Sequence, residues 1–125
     1  MPLRNRILFV DDEPNIRLTL PPVLEQHGFK VKAAGTVSEA LREISASRFD
    51  VLISDLNVEQ SGDGLRVVGA MREKQPDCIA IILTGFPGFE SAVEALRSRV
   101  DDYVVKPVDV ETLVSSIRKK LATKN

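Results

Sequence analysis

The chain has 125 residues, of which 43% are hydrophobic and 28% charged, a composition typical of one soluble globular domain. Its 17 basic and 18 acidic residues nearly cancel to a net charge of −1, which argues against a broad basic face for nucleic acid. The longest apolar run covers residues 78–83, whereas a membrane-spanning helix needs about 20 residues. We therefore expect a single domain over residues 1–125 that binds neither nucleic acid nor membrane directly.

The chain contains one cysteine, Cys78, which can form no disulfide within the chain. This usage is typical of the reducing cytoplasm, and residues 1–7 lack the apolar core of a signal peptide. Because Cys78 opens the apolar run, we interpret it as a small core residue rather than a reactive thiol. A cytoplasmic protein is expected.

Short apolar runs alternate with helical patterns along the chain. The runs at 7–10, 51–53 and 79–83 are continuous, as in strands that are buried on both faces. The runs at 31–34 and 103–105 are weaker, so we expect them nearer the sheet edges. A strand followed by a helix five times over predicts an α/β fold with a parallel sheet and helices on both faces.

Prolines complicate the first predicted helix, which should end at Gly28 in a left-handed conformation with Phe29 packed behind it. Pro21 and Pro22 fall inside its pattern, and an interior proline costs about 3 kcal/mol or more. We expect a kinked helix, because residues 16, 20 and 23 still share an apolar face. The alternative is one piece that ends near residue 19 and a second that starts at the prolines.

Start and stop signals mark the later helices. Thr36 and Glu39 form a capping-box pattern at the second helix, and Pro76 closes the third. Residues 89, 92, 93 and 96 follow helical spacing and predict a fourth helix. Asp109 is a natural N-cap for the last helix.

Polar residues follow four of the predicted strands. Asp11 and Asp12 come after the first strand, Asp55 after the third, Thr84 after the fourth and Lys106 after the fifth. Ligands bind outside the carboxyl ends of the strands in sheets of this kind. We therefore expect these residues to converge at one edge of the sheet.

Three carboxylates in one place repel each other unless a cation neutralises them. Oxygen-only ligands suit Mg²⁺, with Mn²⁺ as an alternative. Such an ion, a lysine and a hydroxyl can stabilise a phosphoryl group during its transfer. Asp55 is the natural nucleophile because it ends a central strand opposite the pair from the first strand. The residues therefore suggest an aspartyl phosphate.

These residues resemble the receiver domain of two-component response regulators. The matching positions are the segment 9–13, Asp55, Thr84, Gly85 and the segment 101–107. The resemblance covers essentially the whole chain. It implies a flavodoxin-like (βα)5 fold, a doubly wound parallel five-stranded sheet in the order 2-1-3-4-5.

The resemblance also implies roles for individual residues. Asp12, Asp55 and the backbone carbonyl of Asn57 would ligate Mg²⁺ directly, and Asp11 would hold it largely through water. Asp55 would accept the phosphoryl group, and Lys106 would contact its oxygens.

A conformational switch is implied as well. Thr84 would move toward the phosphate and Tyr103 would turn inward behind it, which changes the face formed by the fourth predicted helix, the fifth strand and the last helix. Gly85 leaves space for this movement. The Lys106–Pro107 peptide bond would be cis, as is typical of receivers.

The implied partners are a sensor histidine kinase or a histidine phosphotransfer protein as donor, and an effector protein or an output domain outside this chain. The chain itself would carry no effector, whether it stands alone or is part of a larger regulator. A homodimer could also form through the face of the fourth predicted helix, the fifth strand and the last helix. We expect only autocatalytic phosphorylation and dephosphorylation, with no separate metabolite turned over.

Two other functions stay open. A small aspartate-dependent phosphohydrolase of the haloacid-dehalogenase type expects a second aspartate two residues after the nucleophile, where Asn57 stands. The other is an interaction module that keeps the fold but needs no phosphorylation. Asp55-dependent formation of a phosphoryl adduct separates the three.

The sequence departs from the receiver pattern after Asp55. The segment 56–63 lacks the usual proline and is about one residue longer, so we expect a more mobile loop. Arg99 and Val100 stand where small residues are usual. His27, at a helix end, is interpreted as structural rather than as a phosphodonor, and the basic residues 118–120 and 124 as a solvated helix face.

Phe86 lies two residues beyond Thr84 and would flank the acyl phosphate, where a bulky apolar ring restricts the attacking water. We expect Phe86→Ala to shorten the phosphorylated lifetime in a phosphate-release assay. An unchanged or longer lifetime would contradict this interpretation.

Overall fold

The computed structural model describes residues 4–85 and 100–123. Its strands are β1 (Arg6–Val10), β2 (Lys30–Ala34), β3 (Val51–Asp55), β4 (Ile79–Thr84) and β5 (Asp102–Val105). Its helices are α1 (Pro14–Gln26), α2 (Val37–Ala46), α3 (Asp63–Lys74) and α4 (Val110–Thr123). The helix predicted around residues 89–96 lies outside the described residues, so α4 is the last predicted helix.

All neighbouring strands pair in parallel, in the order β2-β1-β3-β4-β5. This confirms the implied order and the expectation that the two weaker runs form the edges. The central strands β1, β3 and β4 are almost completely buried, because helices cover both faces of the sheet.

The core consists of two apolar layers on opposite faces of the sheet. Side chains of a strand alternate between its faces, so Leu8 and Val10 pack in one layer with α2 and α3, whereas Ile7 and Phe9 pack in the other with α1 and α4. Cys78 is 3% exposed and belongs to the first layer. Its interpretation as a core residue is confirmed.

Helix α1 is continuous from Pro14 to Gln26 with Pro21 and Pro22 inside it. The alternative of two separate pieces is therefore wrong, and the kink itself stays a prediction. The helix ends as predicted: Gly28 has φ +96°, and the Phe29 amide donates to the Leu24 carbonyl at 3.3 Å. The Gly28 amide also donates to the Glu25 carbonyl at 3.0 Å, and the two bonds, together with the buried Phe29 ring, form a Schellman ending.

The other helix ends follow their sequence signals, with one difference. The Thr36 hydroxyl accepts a hydrogen bond from the Glu39 amide at 3.0 Å, as in a capping box. The Glu39 carboxylate accepts from the Gly35 amide at 2.7 Å, where the capping box predicts the Thr36 amide. Helix α3 ends two residues before Pro76, and Asp109 directly precedes α4.

Candidate functional site

Three carboxylates meet at the carboxyl edge of the sheet. Asp11 and Asp12 follow β1, and Asp55 ends β3. One carboxylate oxygen from each lies within 4.8 Å of the others. Asp11 is fully buried and the Asp55 side chain is 12% exposed, whereas Asp12 is exposed. The predicted convergence of these residues is confirmed.

Lys106 reaches into the same cluster from the end of β5. Its Nζ atom lies 3.3 Å from Oδ2 of Asp11 and 3.2 Å from Oδ1 of Asp55. The backbone explains this placement, because the Lys106 amide donates to the Thr84 carbonyl at 2.8 Å and so extends the β4–β5 pairing by one residue. The Lys106–Pro107 peptide bond is cis, as the resemblance implies.

The cluster shifts the pKa values of two of its groups in the same direction. Burial raises the pKa of Asp55, and the charges of Asp11 and Asp12 add to this, although Lys106 opposes it. Burial alone would lower the pKa of Lys106, but the carboxylates of Asp11 and Asp55 outweigh burial and raise that pKa. The lysine is therefore held charged beside a carboxylate whose charge is disfavoured.

Asp11 is the most firmly held member of the cluster. Its Oδ1 atom accepts a hydrogen bond of 2.9 Å from the Glu13 amide, and its own amide donates to the Ala34 carbonyl at 3.1 Å. The Arg17 side chain donates to its carbonyl at 2.8 Å. Sequence reasoning did not single out Arg17, because its place on the first helix carries no motif that points to the loop before it.

The segment after Asp55 is tied to both neighbouring helices. The Asn57 side chain accepts from the Gly62 amide at 2.9 Å, and the Glu59 carboxylate accepts from the Val37 amide at the start of α2, also at 2.9 Å. Asp63 accepts from the amides of Glu59 and Gln60. These bonds show how the longer loop is held, while its mobility and the Asn57 carbonyl as a metal ligand stay predictions.

Gly64 allows α3 to begin directly against β3. Its amide donates to the Leu56 carbonyl at 2.8 Å, and a Cβ atom at this position would overlap the carbonyl oxygen of Asp55 and come within 3.0 Å of the Cα of Leu56. Only a residue without a side chain fits this approach.

The two predicted switch residues lie on adjacent strands, the inner strand β4 and the edge strand β5. Thr84 ends β4 and is 1% exposed, and Tyr103 lies on β5 opposite Ile82. The Tyr103 ring packs against the core layer of α2 and α3. Its hydroxyl is buried without a hydrogen-bond partner in the part of the chain that the structure describes.

Three further residues with a sequence-based interpretation have a described position: His27, Arg118 and Gly85. His27 donates from Nδ1 to the Val23 carbonyl at 2.9 Å, which fits its structural interpretation. Arg118 donates to the His27 carbonyl and lies over the Phe29 ring, so it is not merely solvated. Among the described residues, no atom lies within 4 Å of the position that a Cβ on Gly85 would take. Phe86 and Arg99 lie outside the described residues.

An apolar groove of about 560 Å³ borders the cluster. Its lining includes Ile16, Leu20 and Val23 of α1 and the segment 106–108. A larger cavity of about 790 Å³ lies at the opposite edge of the sheet, around Phe49 and Gln75. Volume alone would favour that cavity, but Lys106 lines the groove and also contacts the carboxylates of Asp11 and Asp55.

Comparison with known proteins settles which family has this arrangement. Residues 7–118 match the family model described as the response regulator receiver domain. The chain belongs to this receiver domain family. Among curated relatives, 117 residues are 34% identical to the regulatory protein AtoC of Escherichia coli and 33% identical to the photosynthetic apparatus regulatory protein RegA of Cereibacter sphaeroides.

Each of these matches covers 94% of the chain but only 25% of AtoC and 62% of RegA. This receiver domain thus spans between a quarter and three-fifths of the length of those relatives.

Solved receiver structures have the same fold. The receiver domain protein of Methanospirillum hungatei superimposes with a TM-score of 0.87 at 28% identity and covers 98% of this chain and 97% of its own. The response regulator TrrA of Thermotoga maritima, in complex with Mg²⁺-BeF, gives 0.80 at 33% identity over 93% and 98%.

The chain is a signalling receiver domain of two-component systems, and the pocket formed by Asp11, Asp12 and Asp55 fits a phosphoacceptor site. The carboxylate oxygens of this acidic cluster are also close enough together to hold a metal ion. No helix within the described ranges has the length and apolar character needed to cross a membrane.

Proposed function

We propose that this receiver takes a phosphoryl group from a phosphohistidine onto Asp55 in a reaction that requires Mg²⁺. One observation carries the proposal: Lys106 Nζ lies 3.2 Å from Asp55, within a cluster of three carboxylates that each place one oxygen within 4.8 Å of the others. A nucleophile, a cation site and a fixed positive charge are the parts that phosphoryl transfer needs.

In the proposed step, a carboxylate oxygen of Asp55 attacks the phosphorus atom of the donor. The new O–P bond forms as the N–P bond breaks. The electron pair of the N–P bond returns to the imidazole nitrogen, which is then protonated. Lys106 and the Thr84 hydroxyl stabilise the phosphoryl oxygens. In dephosphorylation, water attacks the same phosphorus, and the products are inorganic phosphate and the Asp55 carboxylate.

The donor set suits a hard divalent cation, because every candidate ligand is oxygen. Asp12, Asp55 and the backbone carbonyl of Asn57 would hold Mg²⁺ directly, with Asp11 acting largely through water, and Mn²⁺ could replace it. When bound, the ion would neutralise the carboxylates and the phosphoryl oxygens. Asp11 and Lys106 would keep Asp55 oriented toward the incoming phosphorus.

Phosphorylation would then change the surface near β5. A phosphoryl group adds about −1.5 to −2 charges and three acceptor oxygens, toward which Thr84 would move. Tyr103, whose buried hydroxyl has no partner among the described residues, would fill the vacated space. The face of β5, α4 and the helix predicted near 89–96 would change for an effector, an output domain or a second copy of the chain.

The proposed donor is a sensor histidine kinase or a histidine phosphotransfer protein. The apolar groove between α1 and the segment 106–108 lies beside the phosphoacceptor and would receive the donor's helix. We include in the proposal a cytoplasmic location, one domain over residues 1–125, no direct contact with nucleic acid, and only autocatalytic phosphorylation and dephosphorylation.

The test is incubation with Mg²⁺ and a small phosphodonor, followed by intact-mass measurement. The chain should gain one phosphoryl group, and Asp55→Asn should gain none. Asp109→Asn is the matched control, because Asp109 is an exposed aspartate at the same edge of the sheet. Removal of Mg²⁺ with a chelator should abolish the adduct.

Two results would overturn the proposal. Rapid turnover of unrelated phosphate esters would indicate an aspartate-dependent phosphohydrolase. The absence of any Asp55-dependent adduct, in a folded protein with Mg²⁺ and several donors, would indicate an interaction module that needs no phosphorylation.

A further inference from the structure

The guanidinium group of Arg17 lies over the loop that carries two of the three clustered carboxylates. Its Nη1 atom donates a hydrogen bond of 2.8 Å to the backbone carbonyl of Asp11. That carbonyl belongs to the planar peptide unit that joins Asp11 to Asp12. The contact therefore acts on the one rigid unit to which both acidic residues are attached.

Gly35, between β2 and α2, provides the space that the guanidinium occupies. A Cβ atom on Gly35 would lie 2.8 Å from Nη1 and 2.9 Å from Cζ of Arg17, well inside the roughly 3.5 Å at which such atoms pack. The backbone does not need glycine here, since the positive φ angles among the described glycines are at Gly28 and Gly62. The missing side chain matters because of Arg17.

Asp11 and Asp12 depend on this peptide unit to different degrees. The Asp11 carboxylate is held by the Glu13 amide and by Lys106. Asp12 is exposed, and its carboxylate has no hydrogen bond or ion pair to any other described residue. The point from which the Asp12 side chain extends is therefore fixed by its backbone, which begins at the peptide unit that Arg17 holds.

We propose that Arg17 is a positioning residue for the divalent-cation site. Its guanidinium orients the Asp11–Asp12 peptide so that the Asp12 carboxylate faces Asp55, and Gly35 accommodates it. This inference rests on the proposed function, because it concerns the same cation site. Without Arg17, the Asp12 carboxylate must be ordered when the cation binds, which weakens binding. Once the cation is bound, phosphoryl transfer to Asp55 uses the same groups with or without Arg17.

The test is the dissociation constant for Mg²⁺, measured by isothermal titration calorimetry on the full chain. Arg17→Ala should raise it about tenfold, the range seen when a residue that orients a metal ligand is removed. Arg17→Lys keeps the charge but loses the planar group, so its effect should be intermediate. At saturating Mg²⁺, phosphorylation of Arg17→Ala should stay within about twofold of the wild-type rate.

Arg42→Ala is the matched control. Arg42 is an exposed arginine on α2, so its loss removes one positive charge away from the cluster. Its dissociation constant for Mg²⁺ should equal that of the wild type. An equal effect of both arginine variants would mean that net charge, rather than position, matters, and would overturn the inference.

Gly35→Ala displaces the guanidinium without removing it, so it should also raise the dissociation constant. The double variant Arg17→Ala/Gly35→Ala should bind Mg²⁺ as Arg17→Ala does, because no guanidinium is left to displace. Additive effects would contradict the proposed role of Gly35.

An unchanged dissociation constant in folded Arg17→Ala, even with a lower melting temperature, would show a purely structural role and overturn the inference. If Arg17→Ala does not fold, Gly35→Ala and Arg17→Lys decide in the same way. A wild type that neither binds Mg²⁺ nor forms the Asp55 adduct would instead overturn the proposed function.

Discussion

Asp55 occupies a place that disfavours its own charge. Its pKa is raised by burial and by the carboxylates of Asp11 and Asp12, against the opposing effect of Lys106. Proteins retain such a group where reactivity or binding needs it. This disfavoured charge should lower the free energy of unfolding when no divalent cation is present.

We therefore expect Asp55→Asn to stabilise the metal-free protein at pH 7 by about 1 kcal/mol, because the neutral amide removes a charge that the folded protein disfavours. Because the folded pKa is above the ordinary 3.8, the stability gap should grow as the pH rises from below 3.8 through the folded value. Urea unfolding at several pH values measures it, with Glu25→Gln, an exposed carboxylate, as control. A variant less stable than the wild type at pH 7 would contradict the expectation.

Lys106 raises the free energy of unfolding, in contrast to Asp55, because the cluster favours its charge. Lys106→Gln leaves Asp11 and Asp55 without their cation and should cost about 1–3 kcal/mol at pH 7. The folded pKa is above the ordinary 10.5, so this contribution is fully present below 10.5 and is lost as the pH rises through the folded value. Urea unfolding from neutral to alkaline pH, beside the exposed Lys30→Gln, checks the narrowing gap. A gap that is constant with pH would show that the charge of Lys106 is not the cause.

At the scale of elements, the approach of α3 to β3 positions the phosphoacceptor strand. Alanine normally stabilises a helix relative to glycine by about 0.5–1 kcal/mol. At Gly64 the added Cβ would overlap the Asp55 carbonyl, so either the helix or the strand end must move.

Gly64→Ala should therefore destabilise the protein by about 2 kcal/mol or more and weaken Mg²⁺ binding as well. Thermal unfolding and calorimetry measure the two effects. Gly85→Ala, where an added Cβ meets no atom of the described residues within 4 Å, should leave the stability nearly unchanged. Equal stability of the two variants would show that the first turn of α3 adapts without cost.

Helix α1 also shows which structural features a local sequence pattern is sufficient to predict. The ending of α1 at Gly28 was predictable because a left-handed residue before a buried Phe29 is a local signal. The continuity of α1 through Pro21 and Pro22 was less predictable. Proline propensity opposes it, and burial of Pro21 and Leu24 in the tertiary structure offsets that local cost.

On the scale of the whole molecule, the two apolar layers share the same strands. Ile7 and Phe9 face one layer while Leu8 and Val10 face the other, so neither layer can lose its packing without exposing the sheet that supports the other. This coupling supports the expectation of one domain.

Unfolding in urea should therefore be a single cooperative transition. Far-ultraviolet circular dichroism reports all helices, and the fluorescence of Tyr103, the sole tyrosine in a chain without tryptophan, reports β5. The two signals should have the same midpoint. A separate, earlier transition of Tyr103 would show that the β5 edge unfolds independently.

The amino-acid sequence was enough to predict the succession of strands and helices along the chain, the buried central strands and the residues that end each strand. It was enough because apolar periodicity and glycine and proline signals are local. Together with the resemblance, it also indicated Asp11, Asp12, Asp55 and Lys106. The contacts between atoms became known from the tertiary structure. They are the distances from Lys106 to two carboxylates, the close approach of α3 to β3 at Gly64, and the contact of Arg17 with Asp11 over Gly35. Such contacts join residues through the packing of separate elements, and no local pattern specifies them. The net charge of −1 likewise conceals an acidic cluster that exists only once the sheet has formed.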